Sequence, residues 1–291
     1  MTGRRRFLQL TGAALAAGAA APRLLRPFEG DAEAGRADRI DCIDRIGIQL
    51  YTVRNEMKTN VEQTLARLAQ IGYKEVEFAG YFGRTPTQVA ESLTANGLTA
   101  PGAHIGIADI RGPNWPRVLD AAHTMGHQYL IVAWLDQKDR ASQDGYKAIA
   151  DSMNGASAAA ARAGVTIGYH NHDFEFTPLD GRTGLDVMLE RTAGLPIAFE
   201  MDLYWMVKAG QDPLAWFAKW PGRFPLVHVK DSAGPPKHEM RDVGAGSIDW
   251  KKIFARRKQA GIKHYFVEHD EPEDAFASAA ASFAYLNRLT F

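Results

Sequence analysis

From Ile46 onward, short runs of β-branched and aromatic residues alternate with longer stretches in which apolar residues recur every three or four positions. The short runs are Ile46–Val53, Glu75–Phe78, Ala100–Ile105, Tyr129–Ala133, Val165–His170, Ile197–Met201, Leu226–Val229 and Tyr265–Glu268. Each has strand length. Between them, Val61, Leu65 and Leu68 have the spacing of one helix face, and Val89 with Leu93, Val118–Leu119 with Ala122, Val187–Leu189 and Ile253–Phe254 repeat it more weakly. Gly72, Gly97, Gly126, Gly164, Gly194 and Gly261 close the helical stretches, where glycine tolerates a left-handed C-cap. Eight strands alternating with helices predict a parallel sheet, and eight such units in ~245 residues fit an α/β (β/α)8 TIM barrel better than an open sheet. No G-x-G-x-x-G follows the first strand, which disfavours a dinucleotide fold. The predicted organisation is one barrel domain over residues 46–291, preceded by a linker over 35–45.

The first 34 residues read differently. Arg4, Arg5 and Arg6 precede a weakly apolar, Ala/Gly-rich run from Leu10 to Ala21, the charged-then-apolar layout of an export signal. That run is shorter than the roughly 20 residues a spanning helix needs, so no stable membrane anchor is expected. Arg4–Leu8 resembles the bacterial twin-arginine signal, which implies the twin-arginine export machinery as a partner and a periplasmic or secreted location. Ala19–Ala21, followed by Pro22, and Ala32-Glu33-Ala34 both offer a small-residue cleavage site. The second places the signal and the start of the linker in residues 1–34.

Composition narrows the chemistry. A chain that is 46% apolar and 23% charged is globular rather than disordered. Lys+Arg and Asp+Glu both number 34, so no basic excess argues for nucleic acid. Removing residues 1–34 takes away five basic and three acidic residues and leaves a net charge of −2. Cys42 is the only cysteine, which excludes an internal disulfide and a thiolate zinc cluster. Any metal must be held by His, Asp and Glu.

Active sites of (β/α)8 barrels form at the C-terminal ends of the strands. Here those ends carry Glu77, His104, Tyr169–His172, Glu200–Asp202, His228–Asp231 and Glu268–Asp270. A structural barrel has no use for so many polar groups there, and burying them unpaired costs several kcal/mol each. Asp202, His228 and Glu268 end three adjacent strands about 4.8 Å apart, so their tips can converge on one divalent ion. Strand five offers a fourth ligand, His170 or His172, which share a face; His170 is preferred because it is nearer the strand end. Trp134, Tyr51, Phe78, Tyr204 and Trp205 fall near strand ends, where an aromatic ring either packs in the core or stacks on the apolar face of a ligand. Arg256–Lys258 reads as a solvated helix face, and His123, His127, His238 and His264 are expected to carry no chemistry.

Ile46–Arg54, Phe199–Asp202, Val227–Asp231, Val243–Trp250 and Phe266–Glu268 together resemble the xylose isomerase-like sugar isomerase/epimerase barrels, a group that includes inosose dehydratases and the endonuclease IV type. The resemblance implies a divalent metal (Mn, Co, Mg or Zn) on Asp202, His228 and Glu268. The family's strand-five ligand is commonly Glu followed by Asn; here the pair is His170-Asn171, a departure from two metal-bound glutamates acting as paired bases. Inosose-dehydratase-like relatives also have a His-rich strand five. The expected activity is proton abstraction beside the carbonyl of a keto-sugar or polyol ketone through an enediolate, giving isomerisation or epimerisation. A lyase or dehydratase acting on a 3-keto-glycoside or inosose, and an exported sugar-binding barrel without catalysis, are the competing expectations. Glu268 is expected as ligand or base, Glu77 and Lys230 as acid/base partners, and His104, His172, Trp134 and Glu200 at the substrate. The small-molecule partner is a sugar, with no nucleic acid, and a homo-oligomer is left open.

Overall fold

The computed structural model describes residues 41–291. The export signal and cleavage sites expected in residues 1–34 lie outside the described residues, as do residues 35–40 of the linker. Eight parallel strands close into one barrel: β1 (Ile46–Gln49), β2 (Glu75–Phe78), β3 (Thr99–Ile105), β4 (Tyr129–Val132), β5 (Thr166–His170), β6 (Ile197–Asp202), β7 (Leu226–Val229) and β8 (His264–Val267). They follow one another around the barrel in sequence order, and β8 pairs with β1. Helices follow the strands, as expected for a (β/α)8 TIM barrel. Among the described residues, no helix is long and apolar enough to cross a membrane.

Local chemistry accounts for the element boundaries. Val61, Leu65 and Leu68 turn one buried stripe of the helix Val61–Ile71 toward the barrel, and Asn60 caps its start by accepting the Gln63 N–H at 2.9 Å. Thr85 and Gln88 form a reciprocal capping box on the helix Pro86–Ala95. Gly126 and Gly261 end their helices with φ of 73° and 85°, the left-handed cap that a Cβ disfavours. The first strand is shorter than the apolar run that predicted it. It stops at Gln49 because Leu50–Val53 already curls into the helix Arg54–Thr59, through Thr52 N–H to Gln49 C=O at 3.1 Å and Val53 N–H to Leu50 C=O at 3.2 Å.

The linker expected over 35–45 gives way to ordered packing before Ile46. Ile43 is buried, Asp41 pairs with Arg257, and Arg45 reaches Glu75 at 2.9 Å. Arg257 is therefore not part of a purely solvated face; it also lies over the Phe291 ring, 5.0 Å from its centroid.

Alternation along each strand layers the barrel interior. Tyr129, Ile131, Ala198, Leu226 and Phe266 form an apolar plug. Glycine makes room for it: a Cβ on Gly47 would meet the Phe266 ring at 2.5 Å. Toward the N-terminal ends of the strands, Glu75 binds Arg45 and His264, the latter at 2.8 Å. Toward the C-terminal ends, the inward positions are Gln49, Glu77, His104, His170, Glu200, Asp202, His228, Lys230 and Glu268.

Candidate metal centre

The inward polar residues form two linked clusters that share His228. In the upper cluster, one ligand atom from each of His170, Asp202, His228 and Glu268 lies within 4.8 Å of every other. His228 Nδ1 is 2.8 Å from Glu268 Oε2 and 3.7 Å from Asp202 Oδ2, and His170 Nε2 is 3.3 Å from Asp202 Oδ2. Strand register produces this convergence: Asp202 sits directly opposite His228, and His170 opposite Glu200, one inward position below Asp202. Asn171 fixes the ends of β5 and β6 to each other, its Oδ1 accepting the Asp202 N–H at 3.1 Å. Asp202 Oδ1 caps the helix Leu203–Lys208 by accepting the Trp205 N–H at 3.0 Å, which leaves Oδ2 for the cluster.

The lower cluster is Glu77, His104, Glu200 and His228. His228 Nε2 stands 2.7 Å from Glu77 Oε2 and 3.2 Å from Glu200 Oε2. His104 Nε2 stands 2.8 Å from Glu200 Oε2 and 3.2 Å from Glu77 Oε2. Gln49 donates to Glu77 at 2.8 Å. A Cβ on Gly102 would come within 2.6 Å of Glu77 Oε1, so glycine there leaves the carboxylate its place.

Charge follows from these contacts. Burial disfavours charge on His104, but the Glu77 and Glu200 carboxylates outweigh it and lift its pKa to about 9. Burial also opposes charge on His228, and Glu200 and Glu268 push it well above the usual histidine range. Lys230 is 2% exposed, yet its ammonium is held by Glu268 at 2.6 Å, Asp270 at 2.9 Å and Asp202 at 3.1 Å, which raise its pKa against desolvation. Burial works against ionised Glu268 and Asp202, but Lys230 and the neighbouring histidines hold both carboxyls below their ordinary range. Burial and the nearby His228 charge lower His170. Burial, reinforced by His170 and Lys230, lowers His172 to about 2.

A cavity of about 870 Å³ opens above the clusters at the C-terminal ends of the strands. Its floor includes His104, His170, Lys230 and Glu268, and its wall includes His172, Trp134, Phe174 and Trp205. Glu77, expected as an acid/base partner, and Glu200, expected at the substrate, are fully buried and absent from this lining. They lie beneath the floor, in contact with His104 and His228. Asp270, just past the end of β8, reaches inward to Lys230. Of the histidines expected to carry no chemistry, His127 is buried against Ala100 C=O and the Tyr81 hydroxyl, away from the clusters.

Two residues with no assigned role in the sequence support the site. Glu175 is fully buried and accepts the His172 N–H at 2.7 Å and the Tyr169 hydroxyl, fixing the loop that carries His172. Its signal was a lone glutamate between Phe174 and Phe176. Asp231 is buried behind Lys230 and gathers four N–H donors from Ser232, Gly244, Ile248 and Trp250, so it ties Val227–Asp231 to Val243–Trp250.

The upper cluster suits a divalent ion. Once a bound cation displaces the proton that the carboxylates hold on His228, the cluster offers two imidazoles and two ionised carboxylates, a donor set for zinc, manganese or cobalt. His170 Nδ1 is buried without a hydrogen-bond partner, and the depressed pKa keeps that ring in the neutral form a ligand needs. His228 Nδ1 faces the other ligands while Nε2 faces Glu77, the arrangement in which an outer carboxylate orients a ligating histidine.

The inosose dehydratase of Geobacillus thermodenitrificans is 22% identical over 252 residues, covering 75% of this chain and 84% of that protein. A crystallised sugar phosphate isomerase/epimerase from Parabacteroides distasonis is 26% identical and superposes with a TM-score of 0.73, covering 84% of this chain and 98% of that one. The IolI protein, crystallised with a zinc atom, is 15% identical with a TM-score of 0.65, covering 84% of this chain and 96% of that one. The profile of the xylose isomerase-like TIM barrel family matches residues 65–288, and the chain belongs to that family.

Proposed function

We propose that the protein is a divalent-metal-dependent sugar isomerase or epimerase that acts on a keto-sugar or polyol ketone by removing a proton beside the carbonyl. The observation that carries this reading is the convergence of His170, Asp202, His228 and Glu268, of which His170 and Glu268 reach the floor of the cavity while Asp202 and His228 lie buried behind them. His170, Asp202, His228 and Glu268 would hold the ion, which when bound would supply Lewis acidity toward a sugar carbonyl and its adjacent hydroxyl. Glu268 is the ionised carboxylate at that floor and accepts the α-proton. Lys230, kept as an ammonium against Glu268, stabilises the negative charge that develops on the substrate oxygens and gives the substrate a proton, and the proton taken up by Glu268 then passes to Lys230 across their 2.6 Å contact. His172, neutral at working pH, faces the cavity and binds hydroxyls without adding charge. His104 projects from β3 to the same floor, its charge balanced from beneath by Glu77 and Glu200.

Acidic side chains outnumber basic ones in the lining, where Asp109, Asp173, Asp270 and Glu271 accompany Glu268 against Lys208 and Lys230. The second reading is loss of a β-hydroxyl or β-glycosyl group from the same enediolate, a dehydratase or lyase reaction; the inosose dehydratase relatives favour it. The Arg4–Leu8 run supports a periplasmic or secreted location.

The test pairs metal analysis of the purified protein with proton NMR of keto-sugars and inososes in D2O. The reading expects about one divalent ion per chain, and deuterium incorporation or elimination that stops when the metal is stripped. Full turnover by metal-free protein overturns it.

A further inference from the structure

We propose that the cavity contains a second sugar-ring subsite on an aromatic platform centred on Trp134, so that the ligand is a glycoside of two linked rings rather than a free monosaccharide. This rests on the sugar-active reading above, which places the first ring at the four-residue cluster.

Among the described residues, the exposed large hydrophobics are Tyr51, Trp134 and Leu195. The first two line this one cavity, with Trp134 53% and Tyr51 43% exposed. They stand three strands apart around the mouth, following β4 and β1. Scattered exposed apolar residues are ordinary, but aromatic surface concentrated on a cavity rim marks a place where ligand replaces water.

Trp134 is also held in position. Its ring stands at 84° to His172 and 83° to Phe174, with centroids 4.9 and 5.2 Å away. Those two rings stack on each other at 5.2 Å, and the Arg140 guanidinium lies 3.7 Å from the Phe174 centroid. These perpendicular contacts, with the same guanidinium 5.6 Å from the Trp134 centroid, anchor the indole while more than half of the residue stays open. A platform ordered before binding loses little entropy when a ligand covers it.

Ring contacts set the subsite's place. The His170 and His172 rings are 4.8 Å apart, and the Trp134 ring is 4.9 Å from His172. Trp134 thus lies in the same cavity as His170 but outside the four-residue cluster. A sugar ring seated at the cluster leaves the Trp134 surface for a second ring. The cavity volume of about 870 Å³ is several times that of a single pyranose ring.

The lining also matches a pyranose in character. Such a ring presents a face of C–H groups, which the electron-rich face of an indole attracts, and an edge of hydroxyls. Asp173 and Lys208, paired at 3.4 Å beside Trp205, supply an acceptor and a donor for that edge.

The test is isothermal titration of the full-length, metal-loaded protein with unreactive probes: methyl β-D-glucopyranoside, cellobiose and trehalose. The expected result is that at least one disaccharide binds tenfold or more tightly than the methyl glycoside. Trp134→Ala should bring that disaccharide to the level of the methyl glycoside, and Trp134→Phe should keep most of the advantage, with metal content unchanged in both variants as the control for folding. No advantage of any disaccharide, whether the probes bind alike or not at all, overturns the subsite, and so does an advantage that survives Trp134→Ala. Failure of the metal-dependent reading registers separately, in metal content and solvent exchange, neither of which enters the disaccharide comparison.

Discussion

His228 Nε2 stands 2.7 Å from Glu77 Oε2, although the two residues are 151 positions apart in sequence. The contact crosses the barrel interior from β7 to β2 beneath the cavity floor. It commits one ring nitrogen to a buried carboxylate and turns the other, Nδ1, toward Asp202 and Glu268. Glu77 is therefore placed to orient His228 from beneath the cavity floor.

Glu77→Gln is expected to weaken divalent-metal affinity by about 10–100-fold, the usual range for losing an outer partner of a ligating histidine. Titration with Mn2+ or Zn2+ measures it directly. Unchanged affinity would assign Glu77 to barrel stability alone, with thermal unfolding as the companion readout.

His170 and His172 share a strand end but receive different environments. His170 is buried between Asp202 and His228, whereas His172 leans on Phe174 and Trp134 in the cavity wall. His170→Ala is expected to remove bound metal. His172→Ala should retain metal and raise KM for the sugar by roughly tenfold, about what losing one hydrogen bond costs. Metal analysis of the two variants side by side decides between them, and loss of metal only in His172→Ala would reverse the assignment.

Much of this was readable before any fold was known. The strand ends carried Asp202, His228 and Glu268 because barrel chemistry sits there, and register alone brings adjacent ends together. Depth was not readable. Glu77 and Glu268 look equivalent as glutamates at strand ends, yet one lies under the floor and the other forms it, because the stagger between strands sets the layer each side chain occupies. Glu175 and Asp231 were illegible for a related reason. Each acts through N–H groups whose positions depend on how a loop folds back, and loop paths leave no periodicity in the sequence.

Glu175 predicts a pH dependence of stability. Burial dominates its environment and lifts the carboxyl to about 7 from an ordinary 4.5, despite the Tyr169 hydroxyl and His172 N–H that favour its charged form. Between those two values the folded protein holds a proton that the unfolded chain has released. This contribution to stability is complete below pH 4.5 and is lost as pH rises through 7. A shift of that size corresponds to on the order of 3 kcal/mol. His170 and His172, both lowered from 6.5, give the opposite slope over part of that window, so Glu175→Gln should leave stability rising more steeply with pH between 4.5 and 7 than in the parent, in urea unfolding at stepped pH. The same slope in the variant would place the titration elsewhere.

Asp231 tests how the loop beyond β7 is secured. Its Oδ1 accepts the Ser232 and Ile248 N–H groups at 2.8 and 3.1 Å, and its Oδ2 accepts Gly244 N–H and Trp250 Nε1–H at 2.9 and 2.8 Å. Every contact points a donor at the carboxylate. Asp231→Asn replaces one acceptor with an NH2 that faces two donors, so two buried hydrogen bonds are lost and their N–H groups are left unsatisfied. The expected cost is about 3–5 kcal/mol, the range for breaking one side of a buried charged contact. Trp250→Phe removes a single bond and should cost about 1–3 kcal/mol. Because Asp231 follows Lys230 directly, the Asn variant should also loosen the Lys230–Glu268 contact and lower kcat, while the Phe variant leaves kcat near its original value. Equal stability losses in the two variants would show that the indole contact alone carries the tie between the two segments.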